Sequence, residues 1–339
     1  MAKNNFPILP VPVNDGIPGG MMMTNDAISG GMAFLVGELE KRDEKLHEPL
    51  TSITWPRDMP VKTGGGWVDS VSVFDVSYAS TGGSDGGLMG SESNDLPIIQ
   101  ADIGKESYKT FQWGHILKVP LIDQQRLQKI GRNLDDILNN GLHLVHDKKL
   151  DESVYTGFAS HGSYGLVNDP KISTVTAAPH TASGTDTQWS GKTPDEILTD
   201  INRVLNATWA ASEYDLSGMA NHILVPPECY TKLVATKVGT TGDKSILQFL
   251  LENNLGRNQG IDIVISPCRW CVGAGTSGAN RMVAYCNDYD RVRFDITVPL
   301  QRMMTQASAE HMAYLTPYVT QFSELQWPYR THAMYMDGI

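Results

Sequence analysis

The sequence predicts an α+β protein, and three observations carry that prediction. Residues 67–119 are dense in β-branched and aromatic side chains on either side of a glycine-rich break; one amphipathic pattern then runs to Tyr155; after a polar run, helices and short apolar strands follow in mixed order. With 339 residues and 41% apolar content, the chain is long enough for two compact units, or for one core with extended arms.

Residues 1–31, MAKNNFPILPVPVNDGIPGGMMMTNDAISGG, have neither helical nor strand period. Rich in Pro, Gly and Met, they cannot fold on themselves and read as an arm lying along another surface. In 33–50, Phe34, Leu35, Leu39 and Leu46 predict a short amphipathic helix with a charged outer face, stopped before Pro49. WVDSVSVFDVSYAS (67–80) and LPIIQADIGKESYKTFQWGHILKV (96–119) predict the strands of a long hairpin, the second with Ile99, Ala101, Ile103, Phe111 and Trp113 on one parity. TGGSDGGLMGSESND (81–95) between them is too long and glycine-rich for a tight turn and reads as a mobile loop tip. In the first strand the apolar parity switches from Val71 and Val73 to Phe74, Val76 and Tyr78, which predicts either a bulge or cover on both faces. A two-stranded ribbon buries too little surface to stand alone, so the hairpin is expected to pack on a neighbouring subunit.

Leu127, Ile130, Leu134, Ile137, Leu138, Leu142, Val145 and Leu150 then recur at three- and four-residue steps. They predict one scaffold helix from Asp123 to Tyr155, about 50 Å long at 1.5 Å per residue, with Gly131 and Gly141 as places where it bends. Gly157 supplies a left-handed C-cap, and Asn168-Asp169-Pro170 a turn where the helix cannot resume. A second unit opens at Thr193, where Thr193, Pro194 and Glu196 form an N-cap with a capping box and Ile197, Ile201, Val204 and Leu205 the buried stripe. HILVP (222–226), IDIVISP (261–267) and RMVAYC (281–286) read as core strands and KSILQFLLENN (244–254) as a helix. RVRFDITVPLQRM and AYLTPYVTQFSELQWPYRTHAMYM read as long strands returning beside the scaffold helix.

This order of parts resembles a known family. An extended arm, a hairpin with a glycine-rich tip, the Asp95-Leu96-Pro97 entry to DLPIIQADIGKESYKTFQWGHILKVPLID, and GSYGLVNDP directly after a spine-length helix are similar to tailed-bacteriophage major capsid proteins of the Hong Kong phage-type fold, close to their encapsulin-like branch. The resemblance covers nearly the whole chain. It implies an N-terminal arm at 1–50, an E-loop hairpin at 51–118, a peripheral domain with the spine helix at 119–192 and 289–328, and an axial domain at 193–288 and 329–339. It further implies subunits that assemble with themselves into the pentamers and hexamers of an icosahedral shell around double-stranded DNA. Portal, scaffold and decoration proteins are the implied partners, and the virion, assembled in the bacterial host cytoplasm, the implied location. Independently of the resemblance, an arm, a hairpin unable to stand alone and a long scaffold helix together imply an obligate assembly. The arm begins almost at Met1, which argues against an N-terminal scaffold removed by proteolysis.

Composition agrees on what to exclude. A net charge of −11 argues against a surface that adheres to phosphate backbones and fits a shell that encloses DNA without sequence-specific binding. Cys229, Cys268, Cys271 and Cys286 are too few for a disulfide framework, and no apolar run approaches the roughly 20 residues of a membrane span. The chain reads as neither secreted nor membrane-spanning.

The chemical motifs are weak. GAGTSG, with Gly273, Gly275 and Gly278, matches a dinucleotide fingerprint in letters, but the strand-like NRMVAYC follows it where the pyrophosphate needs a helix N-terminus. Cys268 and Cys271 lack a second ligand pair and read as ordinary thiols. His143 and His146, beside Asp147, lie one turn apart but read as a solvated polar face shared with Asp135, Asp136, Lys148 and Lys149. His161 has no partner constellation. No catalytic, cofactor-binding or metal residue is assigned, and no cofactor is expected. Some relatives weld their shells through a lysine at the E-loop tip; residues 81–95 contain none, Lys105 and Lys109 lying further down the strand, so a shell held non-covalently, or with help from decoration proteins, is expected. The competing readings are an encapsulin-type nanocompartment enclosing an enzyme, a soluble α/β enzyme, and a tail or other structural virion protein.

Overall fold

The computed structural model describes residues 49, 51–81, 97–129, 134–182, 184–238 and 244–339. The expected arm, the helix at 33–50 and the hairpin tip lie outside them, and the described elements all belong to the compact unit Ser52–Ile339. In chain order they are α1 (Trp55–Asp58), β1 (Val61–Thr63), β2 (Ser70–Thr81), β3 (Ile98–Pro120), α2 (Leu121–Lys129), α3 (Leu134–Tyr155) and β4 (Thr174–Thr176). Next come α4 (Pro194–Ala211), β5 (His222–Val225), α5 (Pro227–Ala235), α6 (Ile246–Asn253), α7 (Leu255–Asn258), β6 (Val264–Pro267) and β7 (Arg281–Tyr285). The chain closes with β8 (Phe294–Ile296), β9 (Val298–Arg302), β10 (Gln306–Ser308), β11 (Ala313–Ser323) and β12 (Ala333–Asp337).

The hairpin is an unbroken antiparallel ladder from Ser70↔Lys109 to Thr81↔Ile98. No bulge is present, so the parity switch has another cause. Val71 and Val73 pair with Tyr108 and Glu106 on the side that meets the body at the hairpin's base, whereas Phe74, Val76 and Tyr78 lie on the opposite side, further out. The two faces are thus apolar over different lengths of the strand, one at the base and the other further out. From Thr110 onward β3 leaves β2 and pairs with β11, down to Pro120↔Ala313. Within the span 51–118 expected as hairpin, β1 pairs instead with β8, in parallel.

The scaffold helix is described in two segments, α2 and α3, with 130–133 outside the described residues. Its buried seam is narrower than the sequence suggests: Leu142, His146, Leu150 and Val154 are buried, with Leu134 and Leu138 packed beside them, while Ile137 and Val145 are exposed. Toward its C-terminal end the helix is covered on more sides, and Asp151, Ser153 and Tyr155 are buried as well. Leu142 meets Leu117, Val119 and Tyr318. The C-terminal stretch divides, β11 lying in the hairpin's sheet and β12 in the second sheet, separated by the turn through Pro328 and the short 3-10 helix Arg330–His332.

After α3 the loop of residues 157–170 does more than stop a helix. Gly157, at φ 65°, closes the C-cap with its N–H on the Glu152 and Ser153 carbonyls. A Cβ on Gly165 would sit 2.3 Å from the Tyr155 carbonyl carbon, so only glycine lets the loop fold back on the helix end. Asn168 holds the fold-back, accepting from Gly165 N–H at 2.7 Å and donating to the Thr156 carbonyl at 2.8 Å.

The second sheet runs β4-β12-β7-β5-β6. The capping box at Thr193 and Glu196 forms as the sequence predicts and starts α4, which buries Ile197, Ile201, Val204 and Leu205 on the sheet. HILVP and RMVAYC supply the inner strands β5 and β7, and IDIVISP supplies β6 at the sheet's edge, paired in parallel with β5.

Candidate functional site

The described residues present one conspicuous surface, the outer hairpin. Cross-strand partners share a face, so Phe74↔Lys105, Val76↔Ile103, Tyr78↔Ala101 and Ser80↔Ile99 make one side of the ribbon apolar. That side is bare: Phe74 is 64% exposed, Tyr78 76% and Ile99 75%. The reverse side is mostly polar, carrying Asp75, Ser77, Gln100 and Asp102, with Ala79 and the exposed Ile98 toward the tip. Six apolar side chains in a row on a two-stranded ribbon cannot remain in water at no cost, and this marks a contact face.

The base of the hairpin is latched to the body through charge. Arg330 donates two hydrogen bonds to Glu106, at 2.6 and 2.9 Å, and Lys171 approaches the same carboxylate at 3.5 Å. Tyr108, buried, donates to Glu106 at 2.8 Å and accepts from the Trp327 N–H. Hydrogen bonds from Arg330 hold the Glu106 carboxyl at about 2. That value lies below the ordinary 4.5, so the latch contributes stability above about pH 4.5 and loses it as pH falls through about 2. A Glu106→Gln variant is therefore expected to melt lower than the parent at pH 7, with the gap closing between pH 4.5 and 2; a gap independent of pH would show that the carboxylate charge plays no part.

A second buried polar knot secures α1, at the start of the described unit. Asp58 is fully buried and accepts from Arg57, from His222 Nε2 at 3.1 Å and from the Tyr155 hydroxyl, while its carbonyl accepts from Tyr285. Burial pushes the Asp58 carboxyl up, and the bonds from Arg57, His222 and Tyr155 outweigh it and hold the group below its usual range. Asp151, also buried, receives the Thr54 and Trp55 N–H groups and the side chains of Arg269 and Trp270. α1 is thereby tied to the end of α3, to β5 and to the turn after β6. An acid, a histidine and a tyrosine in contact resemble catalytic parts, yet Asp58, Tyr155 and Tyr285 have no exposed surface through which a substrate could reach them.

The residues weighed as chemistry fall into structural settings. His143 is exposed, but His146 is buried rather than solvated, its ring edge-on to Trp113 at 5.3 Å and its Nδ1 3.1 Å from Asp147. Burial lowers its pKa, which favours the neutral ring. The two histidines thus face different environments. Cys268 and Cys271 are both buried free thiols, and Cys271 is pushed up by its hydrogen bond with Cys268 and by burial. GAGTSG is followed by β7, a strand, and Asp337 fastens the loop by accepting from Thr276. His161 offers its carbonyl to Lys109 Nζ at 2.8 Å, linking the loop after α3 to the hairpin. Among the described residues no helix is long and apolar enough to cross a membrane.

Solved structures share this architecture. A chain from the capsid of Myoviridae phage XM1 superposes with a TM-score of 0.73 at 16% identity, over 95% of this chain and 100% of that one. A chain from the capsid of a native GTA particle gives 0.60 at 10% identity, over 93% and 99%. One from Microbacterium phage Oxtober96 gives 0.56 at 14%, over 88% and 92%. The fold is the Hong Kong phage-type capsid fold, as the sequence predicts. No curated protein matches the chain. A family model for major capsid proteins matches residues 85–339, well over half the sequence, and the chain belongs to the major capsid protein family.

Proposed function

We propose that this shell-forming capsid protein closes an icosahedral particle of pentamers and hexamers around the double-stranded DNA of a tailed phage. The observation that carries the reading is the hairpin, held firmly at its base by Glu106 and Arg330 and bare along six apolar side chains further out. Such an arm is built to lie on another copy. In this reading residues 1–50 are the arm, 51–118 the E-loop, 119–192 and 289–328 the peripheral domain, and 193–288 and 329–339 the axial domain. The role is structural and not catalytic. The net charge of −11 supports a shell that does not grip the duplex it encloses. Portal, scaffold and decoration proteins complete the particle, which assembles in the bacterial cytoplasm.

Particles recovered from producing cells and treated with nuclease are expected to retain double-stranded DNA. Particles that hold a folded enzyme and no DNA would instead make the chain a nanocompartment shell.

A further inference from the structure

We propose that Cys268 and Cys271 form a redox site: in the virion, outside the reducing interior of a cell, the two thiols close into an intrachain disulfide that locks the turn tying α1 to the end of α3. The proposal goes beyond the shell reading. Cys268 caps the short 3-10 turn Arg269–Cys271 that follows β6, and the Cys271 N–H donates to the Cys268 carbonyl at 3.3 Å. Such a bond draws the first and last Cα atoms of a four-residue turn to within about 7 Å, and a disulfide spans about 4.4–6.8 Å between Cα atoms. Both side chains lie in the same core cluster, 1% and 0% exposed, and the Cys271 thiol is hydrogen-bonded to Cys268. The other two cysteines stand apart: Cys229 packs in the second core cluster, and Cys286 donates to the Ser217 carbonyl at 3.5 Å.

The turn between the two cysteines is a clamp. Arg269 and Trp270 each donate to Asp151 at 2.8 Å, and the Trp270 ring stacks on Tyr155. Asp151 also receives the Thr54 and Trp55 N–H groups at the start of α1, and the Pro267 carbonyl just before the turn accepts from Arg57 at 3.0 Å. A link from Cys268 to Cys271 holds Arg269 and Trp270 in one geometry and restrains the unfolded chain. The clamp also sets when the link forms. Burial and the contact with Cys268 keep the Cys271 thiol protonated and a poor nucleophile, so exchange waits on opening of the turn. A cytoplasm keeps such pairs reduced, whereas the medium outside does not. The oxidant is a soluble disulfide such as oxidised glutathione. One cysteine thiolate attacks a sulfur of it and expels one glutathione thiolate; the second cysteine thiolate then attacks the cysteine sulfur of the mixed disulfide and expels the other. Two S–H bonds are lost and one S–S bond forms in the protein, and the oxidant leaves as two thiols that carry the two electrons and two protons.

The wild-type sequence supplies its own test. Trypsin cuts after Arg257, Arg269 and Arg281, so Cys268 and Cys271 fall on separate peptides, 258–269 and 270–281, which stay together only if sulfur joins them. The purified full chain is held with oxidised glutathione or with dithiothreitol, denatured in iodoacetamide, and digested without reductant. After glutathione, mass spectrometry is expected to show the joined pair, with Cys229 and Cys286 alkylated, so that two of the four thiols are lost; after dithiothreitol all four are alkylated. The linked chain is expected to unfold at higher urea than the reduced chain, a shift that dithiothreitol reverses. Four alkylated cysteines after glutathione, a glutathione adduct left on Cys268 or Cys271, or a link to Cys229 or Cys286 each overturn the proposal. Equal urea midpoints for the linked and reduced chains overturn it too, since the bond would then lock nothing. Neither measurement requires particles to form, so its outcome is separate from that of the shell reading.

Discussion

Replacing Val76 and Tyr78 together by aspartate is expected to abolish shell formation while leaving a folded, soluble subunit. Both side chains stand on the bare face of the hairpin, Val76 51% and Tyr78 76% exposed, so their loss removes nothing from the subunit's own core. The proposed function has that face covered in the shell. Burying each such side chain contributes about 1.5–3 kcal/mol, so two contribute roughly 3–6 kcal/mol per contact, a factor of more than about 100 in the contact's equilibrium constant. Two carboxylates taken out of water add to the penalty. Because every subunit makes the contact, assembly compounds the effect. Gln100→Glu, on the polar reverse of the same ribbon, introduces charge without touching the contact face and is expected to assemble normally. Sedimentation of the variants at equal concentration, with circular dichroism to verify folding, separates the outcomes; particles of normal size from the double variant would remove the hairpin from the contact.

The second large effect lies inside the subunit. Asp58→Ala is expected to destabilise the fold by about 3–5 kcal/mol, because it leaves buried partners without their counterpart. His222 and the Tyr155 hydroxyl lose an acceptor inside the core, and α1 loses one of its ties to the end of α3, the bonds to Asp151 remaining. Arg57, with 42% of its side chain exposed, can turn to water, so the cost falls on the histidine and the tyrosine. Denaturant unfolding measures it most cleanly in the non-assembling Val76 and Tyr78 background, where subunit contacts add nothing. A loss below about 1 kcal/mol would mean that the knot is dispensable for folding.

The parts that could be read from the sequence are those with local signatures. Hairpin strands, the capping box at Thr193 and the turn at Gly157 each follow from a few neighbouring residues, and each stands in the structure where it is expected. What could not be read depends on distant partners. His146 looks like one of a solvated pair because sequence cannot show Trp113 across the sheet. The polar knots join residues about 100 to 220 positions apart, such as Asp58 with Tyr155 and Glu106 with Arg330, and no period records them. The parity switch in β2 is visible in the sequence, but its cause is not: the same strand lies against the body at Val71 and Val73 and against nothing described at Phe74, Val76 and Tyr78.

Electron micrographs of the purified chain, concentrated in the presence of its natural assembly partners, decide whether it builds a shell. Closed, uniform icosahedral particles are the expected result; a small monodisperse oligomer that never closes into shells would contradict the shell reading.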